Sequence, residues 1–288
     1  MQRKYCFILS VETKRKTIKD MKRLTWFAIV ITGFSIWLSS CSSVPISGRS
    51  QLNLIPESEL VAMSLTSYSD FLKENKVSTN KQQTDQVKNV GNSIKKAVES
   101  YMSQNGLSNR IAGYQWEFNL VENAETNAWC MPGGKVVVYS GILPVTKNEA
   151  GLAVVMGHEI AHAIARHGNE RMSQALLIQT GGLALSAALQ EKPQQTQQLF
   201  LAAYGIGTEV GISLPYSRAH ETEADKLGLI FMAMAGYNPS EAVDFWKRMQ
   251  NTGGQKPPEF LSTHPSDQTR IDNLQKFLPE AMKYFKKK

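Results

Sequence analysis

The sequence predicts an α+β fold, mainly helical with one small β-sheet, on three observations. Apolar residues recur at helical spacing over much of the chain. Two short stretches between residues 114 and 143 read as strands, the second introduced by a Pro-Gly-Gly turn. With 288 residues, 42% of them hydrophobic, the chain can bury a full core in one domain or in a large and a small one.

Taken in order, residues 1–40 hold eight Lys and Arg against Glu12 and Asp20, so most of the formal net charge of +7 sits there and the remainder is near neutral. That placement removes the basic balance as an argument for a nucleic-acid partner. From Met21, MKRLTWFAIVITGFSIWLSSC has a basic start, an apolar run from Leu24 to Leu38, and small residues before Cys41. The run falls short of the about 20 residues a membrane span needs and suits the apolar core of a secretory signal. Its ending LSSC resembles the bacterial lipobox, which makes Cys41 the expected lipidated residue and Met21 the expected initiator. Residues 1–40 are then extension and signal, 41–55 a lipid-anchored tether, and 56–288 the folded domain. Ser42 after the Cys favours the outer membrane, facing the periplasm. Cys130 is left without a disulfide partner and reads as a small buried hydrophobe.

ESELVAMSLTSYSDFLKEN and TDQVKNVGNSIKKAVESYMSQ are two amphipathic helices joined by a polar loop. In Tyr114 to Asn123, Trp116, Phe118 and Leu120 alternate as on a half-buried strand, and Gly134 to Leu143 forms a second strand. Asn148 to Arg171 is helical, with Glu149 in its first turn. Ala175 to Leu189 is short for a span and reads as a packed core helix, followed by a polar QEKPQQTQQ loop. Another helix runs from about Tyr216 to Ala235. The next has Asn238 as N-cap, Pro239 at N1 and Glu241 at N3, and a basic helix closes the chain.

The chemistry concentrates in VVMGHEIAHAIARHGNE, residues 154–170. On a helix each residue advances about 100°, so His158 and His162 project from one face and can grip one ion. Glu159 lies beside them, within reach of a water on that ion. This is the His-Glu-x-x-His arrangement of zinc peptidases. On the same continuous helix His167 would face the opposite side, as helix end or packing. The third ligand should be a carboxylate on a second helix, with a further acid to orient an imidazole. HETEAD supplies both: Glu221 and Asp225 share a face, Glu221 as ligand and Asp225 as acceptor for a ligating His, while Glu223 points elsewhere, solvated or ion-paired, and is the alternative ligand. Two imidazoles and a carboxylate leave an open position on one Zn2+ for water. Glu159 would take its proton during attack on a peptide carbonyl and pass it to the leaving amine. Donors for the developing oxyanion are His220, His264, Arg218 and Arg270, which the sequence does not rank.

With His158-Glu159-x-x-His162 and SRAHETEADKLG, the chain resembles the HtpX-like and CAAX prenyl protease type 1 zinc metallopeptidases, peptidase family M forty-eight. NAWCMPGGKVVVYSGIL resembles that family's Asn-Ala-aromatic turn and Pro-Gly-Gly strand, and STHPSDQTRI its Thr-His-Pro segment. The resemblance, over about residues 110 to 275, implies a gluzincin domain with a small sheet beside the active-site helix. It also implies the same ligand choice, Glu221 with Asp225, and an edge strand, Val136, Val137, Val138 and Tyr139, that receives extended substrate by β-augmentation. The chain lacks the membrane helices of some branches and is similar to the soluble periplasmic and Oma-like ones, which implies a lipid-anchored endopeptidase of the bacterial cell envelope acting on misfolded or misassembled envelope proteins. A zinc-bound chaperone or assembly factor with latent or little-used protease activity is the alternative. His264 has three readings: a surface loop residue, a transition-state donor, or a removable extra ligand that makes the resting site latent.

Overall fold

In the computed structural model the described residues are 41–180, 193–204, 217–251, Phe260, His264 and 268–286. The compact unit is Ser43–Lys288. The expected signal segment lies outside the described residues.

The unit is mainly helical. Helices α1 (Glu57–Glu74) and α2 (Lys81–Gln104) come first, then strands β1 (Glu117–Val121), β2 (Ala128–Met131) and β3 (Lys135–Tyr139). Helices α3 (Glu149–Ile164), α4 (His167–Thr180), α5 (Pro193–Ala203), α6 (Arg218–Met234), α7 (Glu241–Asn251) and α8 (Gln268–Met282) follow. Four of these boundaries differ from expectation. The expected Asn148 to Arg171 helix is two helices, because Arg166 adopts a left-handed φ of 60° between them. Such a break costs any non-glycine residue, and here the Arg166 guanidinium is held by Glu57, 3.0 Å away. The second half of the polar loop is helical as the start of α5, where Leu199, Phe200 and Ala203 are buried. α7 begins at Glu241 and not at Pro239, and the Asn238 side chain accepts from Ser240 N in the turn that leads into it. The strand at Ala128–Met131 was not anticipated, its four residues being too few to show a period. The expected core helix after Ala175 is described as far as Thr180. No helix among the described residues is long and apolar enough to cross a membrane.

The sheet order is β1-β3-β2, with β3 parallel to β1 and antiparallel to β2. The expected edge strand Val136, Val137, Val138 and Tyr139 is therefore the centre of the sheet, fully buried and paired on both sides, and it has no free edge to offer a substrate. Successive residues alternate faces. Val136 and Val138 enter one core with α2, α3 and α6, while Val137 and Tyr139 enter a second with α1, α4 and α5. Coverage on both faces is why this strand is continuously apolar.

Two glycines set the helix spacing at the site. A Cβ on Gly228 of α6 would lie 3.0 Å from Gly157 C and His158 N of α3. A side chain there would make a tighter than ordinary contact with the facing backbone, and the contact falls directly beside His158.

Candidate metal centre

Asn148 caps α3 by accepting from Gly151 N. From there the helix runs with every residue from Gly151 to Ile164 buried, carrying His158, Glu159 and His162 into the interior. Ser217 caps α6 and aims Glu221 in its first turn at α3. His264 arrives from the chain beyond α7.

Among the described residues, His158, His162, Glu221 and His264 form a group able to hold a metal ion, each offering one donor atom and all within 4.8 Å of one another. His158 Nε2 lies 3.0 Å from His162 Nε2 and 3.2 Å from His264 Nδ1. Glu221 Oε1 is 3.3 Å from His162 Nε2 and 3.0 Å from His264 Nδ1. A tetrahedron with zinc-to-ligand distances of about 2.0–2.1 Å has edges of about 3.3–3.4 Å. The observed separations are close to those edges, and imidazole with carboxylate is a donor set that zinc accepts, so the residues fit such an ion.

Glu159 is buried, and its Oε1 has no hydrogen-bond partner. The nearest cation-forming group is His264 Nε2 at 3.6 Å. Burial raises the Glu159 carboxyl above its ordinary value, with His264 and His158 opposing. A desolvated carboxylate with a vacant acceptor is suited to taking and returning a proton.

Asp225 Oδ1 lies 3.0 Å from His158 Nδ1, on the ring edge away from the donor cluster. Arg270 donates to both Asp225 oxygens, at 2.8 and 2.7 Å, and lies 2.7 Å from Glu221 Oε2. Its guanidinium also covers the Trp246 ring at 3.5 Å. Burial opposes ionisation of Glu221 and Asp225, but Arg270 together with the neighbouring histidines, His264, His158 and His162 at Glu221 and His158 at Asp225, holds both below the ordinary carboxylate range. For His158, burial and Arg270 oppose the charged form, and the hydrogen bonds of Asp225 and Glu221 lift it to about 9. Burial drives His162 the other way, well below its ordinary value.

The remaining expected residues are distributed unevenly. Arg270 is at the site but committed to Asp225 and Glu221. His220 is not directed at the donor cluster: its Nε2 meets Glu170 Oε2 at 3.0 Å, its ring stacks on His167, and its Nδ1 accepts from Ser217 N in the helix cap. Arg218, the exposed first residue of α6, lines a cavity between α6 and α8 with Glu221, Asp225 and Arg270. His264 is buried, not a surface residue.

His167 departs furthest from expectation, while Glu223 takes the ion-paired one of its two expected states. Because the helix breaks at Arg166, His167 swings back toward the site, and its Nδ1 lies 2.9 Å from His162 Nδ1. Its Nε2 meets Glu223 Oε2 at 3.0 Å. Glu223 is buried and ion-paired, not solvated, with Arg49 Nε 3.0 Å from its Oε1. Arg49 also makes a two-pronged contact with Glu170, at 2.7 and 2.8 Å. The segment expected as a tether is thus packed into the domain, with Val44, Gln51 and Ile55 buried as well. No sequence pattern marks Arg49; the Arg166-His167-Gly168 run was the available sign that α3 might not continue.

The model of peptidase family M48 matches residues 89–278. The mitochondrial metalloendopeptidase OMA1 of Saccharomyces cerevisiae is 30% identical over 277 residues, covering 93% of this chain and 78% of that protein. Its counterpart in Schizosaccharomyces pombe is 32% identical over 266 residues, covering 90% and 74%. The beta-barrel assembly-enhancing protease of Escherichia coli is 32% identical over 162 residues, covering 54% of this chain and 33% of that protein. These relatives correct the expected location. The matches that span most of the chain are mitochondrial proteins, found in yeasts and also in cattle and humans, which overturns the bacterial outer-membrane lipoprotein facing the periplasm.

Proposed function

We propose, from the premise that the chain belongs to peptidase family M48 and is a metalloendopeptidase, that it is a zinc enzyme cleaving misfolded or misassembled proteins with Glu159 as general base. The observation that carries this reading is the buried Glu159 Oε1, without a hydrogen-bond partner, beside four converging metal donors. His158, His162 and Glu221 would hold the ion. Zinc bound there supplies Lewis acidity, polarising a peptide carbonyl and lowering the pKa of a nearby water toward about 7. Glu159 Oε1 takes the proton of the attacking water and returns it to the leaving amine. Asp225 fixes the His158 ring, and Arg270 keeps Asp225 and Glu221 ionised. Among the described residues β2 has β3 as its only strand neighbour, and α3 packs against it. The names of the beta-barrel assembly-enhancing relatives support misassembled proteins as the substrate class.

Glu159→Gln tests the reading. It should keep zinc and the fold while casein cleavage falls by about 10²- to 10⁴-fold; equal cleavage by both proteins would remove Glu159 from the chemistry.

One observation favours a latent resting form: His264 Nδ1 sits with the other three donors, where it would occupy the position a water needs. His264→Ala should then raise basal cleavage, and a fall would make His264 a donor to the transition state.

A further inference from the structure

The two histidine ligands of the proposed centre are oriented by different means. A ligating imidazole must carry its proton on the nitrogen facing away from the ion, and the partner of that nitrogen fixes the ring. For His158 the partner is a carboxylate, Asp225, in direct contact. For His162 it is another histidine: His162 Nδ1 faces His167 Nδ1 at 2.9 Å. With Nε2 of His162 free to ligate, its Nδ1–H donates to His167 Nδ1. His167 must then carry its own proton on Nε2, and that proton is donated to Glu223 Oε2 at 3.0 Å. Only one arrangement of the imidazole protons satisfies both contacts, and it requires Glu223 Oε2 to act as an acceptor. Arg49 supplies the countercharge through Nε to Oε1 and Nη2 to Oε2, both 3.0 Å, and Ser47 Oγ adds a further donor at 2.5 Å.

We propose that His167, Glu223 and Arg49 are positioning residues that hold His162 in its metal-binding tautomer and orientation, so that the segment around Ser47 to Arg49 is part of the metal centre. This inference rests on His162 being a ligand, as in the function proposed above. Arg49 lies forty residues before the span matched by the family model, so the brace comes from outside the part of the chain that carries the metal motif. His167 is 0% exposed, is not among the four converging donors, and touches one of them, His162. The Arg49 side chain is 31% exposed, which makes it the most accessible link and the point at which the brace could be loosened.

The test is metal affinity, measured on the full chain by chelator competition for zinc, together with the visible absorption of the cobalt-substituted protein. His167→Phe keeps a ring in place and removes the acceptor; zinc affinity should fall about 10- to 100-fold and the cobalt bands should shift. Arg49→Met, at a partly exposed site, should give a smaller loss in the same direction, with Arg49→Lys restoring part of it. Glu170→Gln breaks the two-pronged hold on Arg49 and the contact with His220, whose ring stacks on His167; it should lower thermal stability and zinc affinity together, the latter by less than His167→Phe does. Wild-type protein that binds zinc, with His167→Phe and Arg49→Met binding it equally well, overturns this inference and leaves the proposed function standing. Wild-type protein that binds no zinc overturns both.

Discussion

The two sides of the metal centre differ in what they are made of. The His158 side is a closed interior cluster, with Asp225, Arg270 and Trp246 all buried on helices within the family-matched span. On the His162 side, a second histidine stands where a carboxylate would be expected, and the last link, Arg49, is half-open to solvent from a segment before that span. Against burial and Arg270, the hydrogen bonds of Asp225 and Glu221 lift the His158 imidazole to about 9, while burial depresses His162. The difference teaches that a helix carrying two ligands one turn apart need not orient them equally. One is held by fixed charge inside the fold and the other by a relay that an external segment completes.

The largest expected effect breaks the interior side. Asp225→Ala removes the carboxylate that accepts two hydrogen bonds from the buried Arg270, and removing one partner of a buried ion pair costs about 3–5 kcal/mol. Urea unfolding of the chelated protein should show that loss, and zinc affinity should fall with it. A small change in both would mean that Arg270 and His158 are held by packing instead. Next, Gly228→Ala places a methyl against the backbone of Gly157 and His158. Overpacking of about 1–3 kcal/mol exceeds the about 1 kcal/mol that alanine gains in a helix, so net destabilisation of about 1 kcal/mol is expected. Because α6 carries both Glu221 and Asp225, metal binding should weaken too. Unchanged zinc affinity would show that the close approach serves stability alone.

The interior side was the legible one. His158, Glu159, His162, Glu221 and Asp225 lie at fixed helical offsets, and periodicity brings them to a face without knowledge of the tertiary fold. The other side was not legible, because angles along a helix hold only while the helix lasts. The break at Arg166 turned His167 from the opposite face to the metal side, and it is stabilised by Glu57, more than a hundred residues away in sequence. Arg49 is similar: its partners Glu170 and Glu223 are brought together only by packing of α4 against α6. The sheet failed for a related reason. A continuous apolar strand announces burial on both faces but says nothing of its place in the order, and β2 was too short to reveal that Val136 to Tyr139 lies in the centre.

The smallest expected effect sharpens the solvent-facing side, and it is a pH dependence. Burial alone would raise the Glu170 carboxyl, but hydrogen bonds from Arg49 and His220 prevail and hold it at about 2, against an ordinary value of 4.5. A carboxyl depressed on folding contributes stability that is complete above its unfolded value and is lost as pH falls through the folded one. Protonation of Glu170 therefore weakens the fold between about pH 4.5 and pH 2. Glu170→Gln removes this part of the acid response, so the variant should be less stable than wild type at pH 7 and the gap should narrow steadily toward pH 3. Urea midpoints of the metal-free proteins across that range would show the convergence. Parallel curves would mean that Glu170 is equally ionised in the folded and unfolded chain, and that its two-pronged contact with Arg49 adds no net interaction in solution.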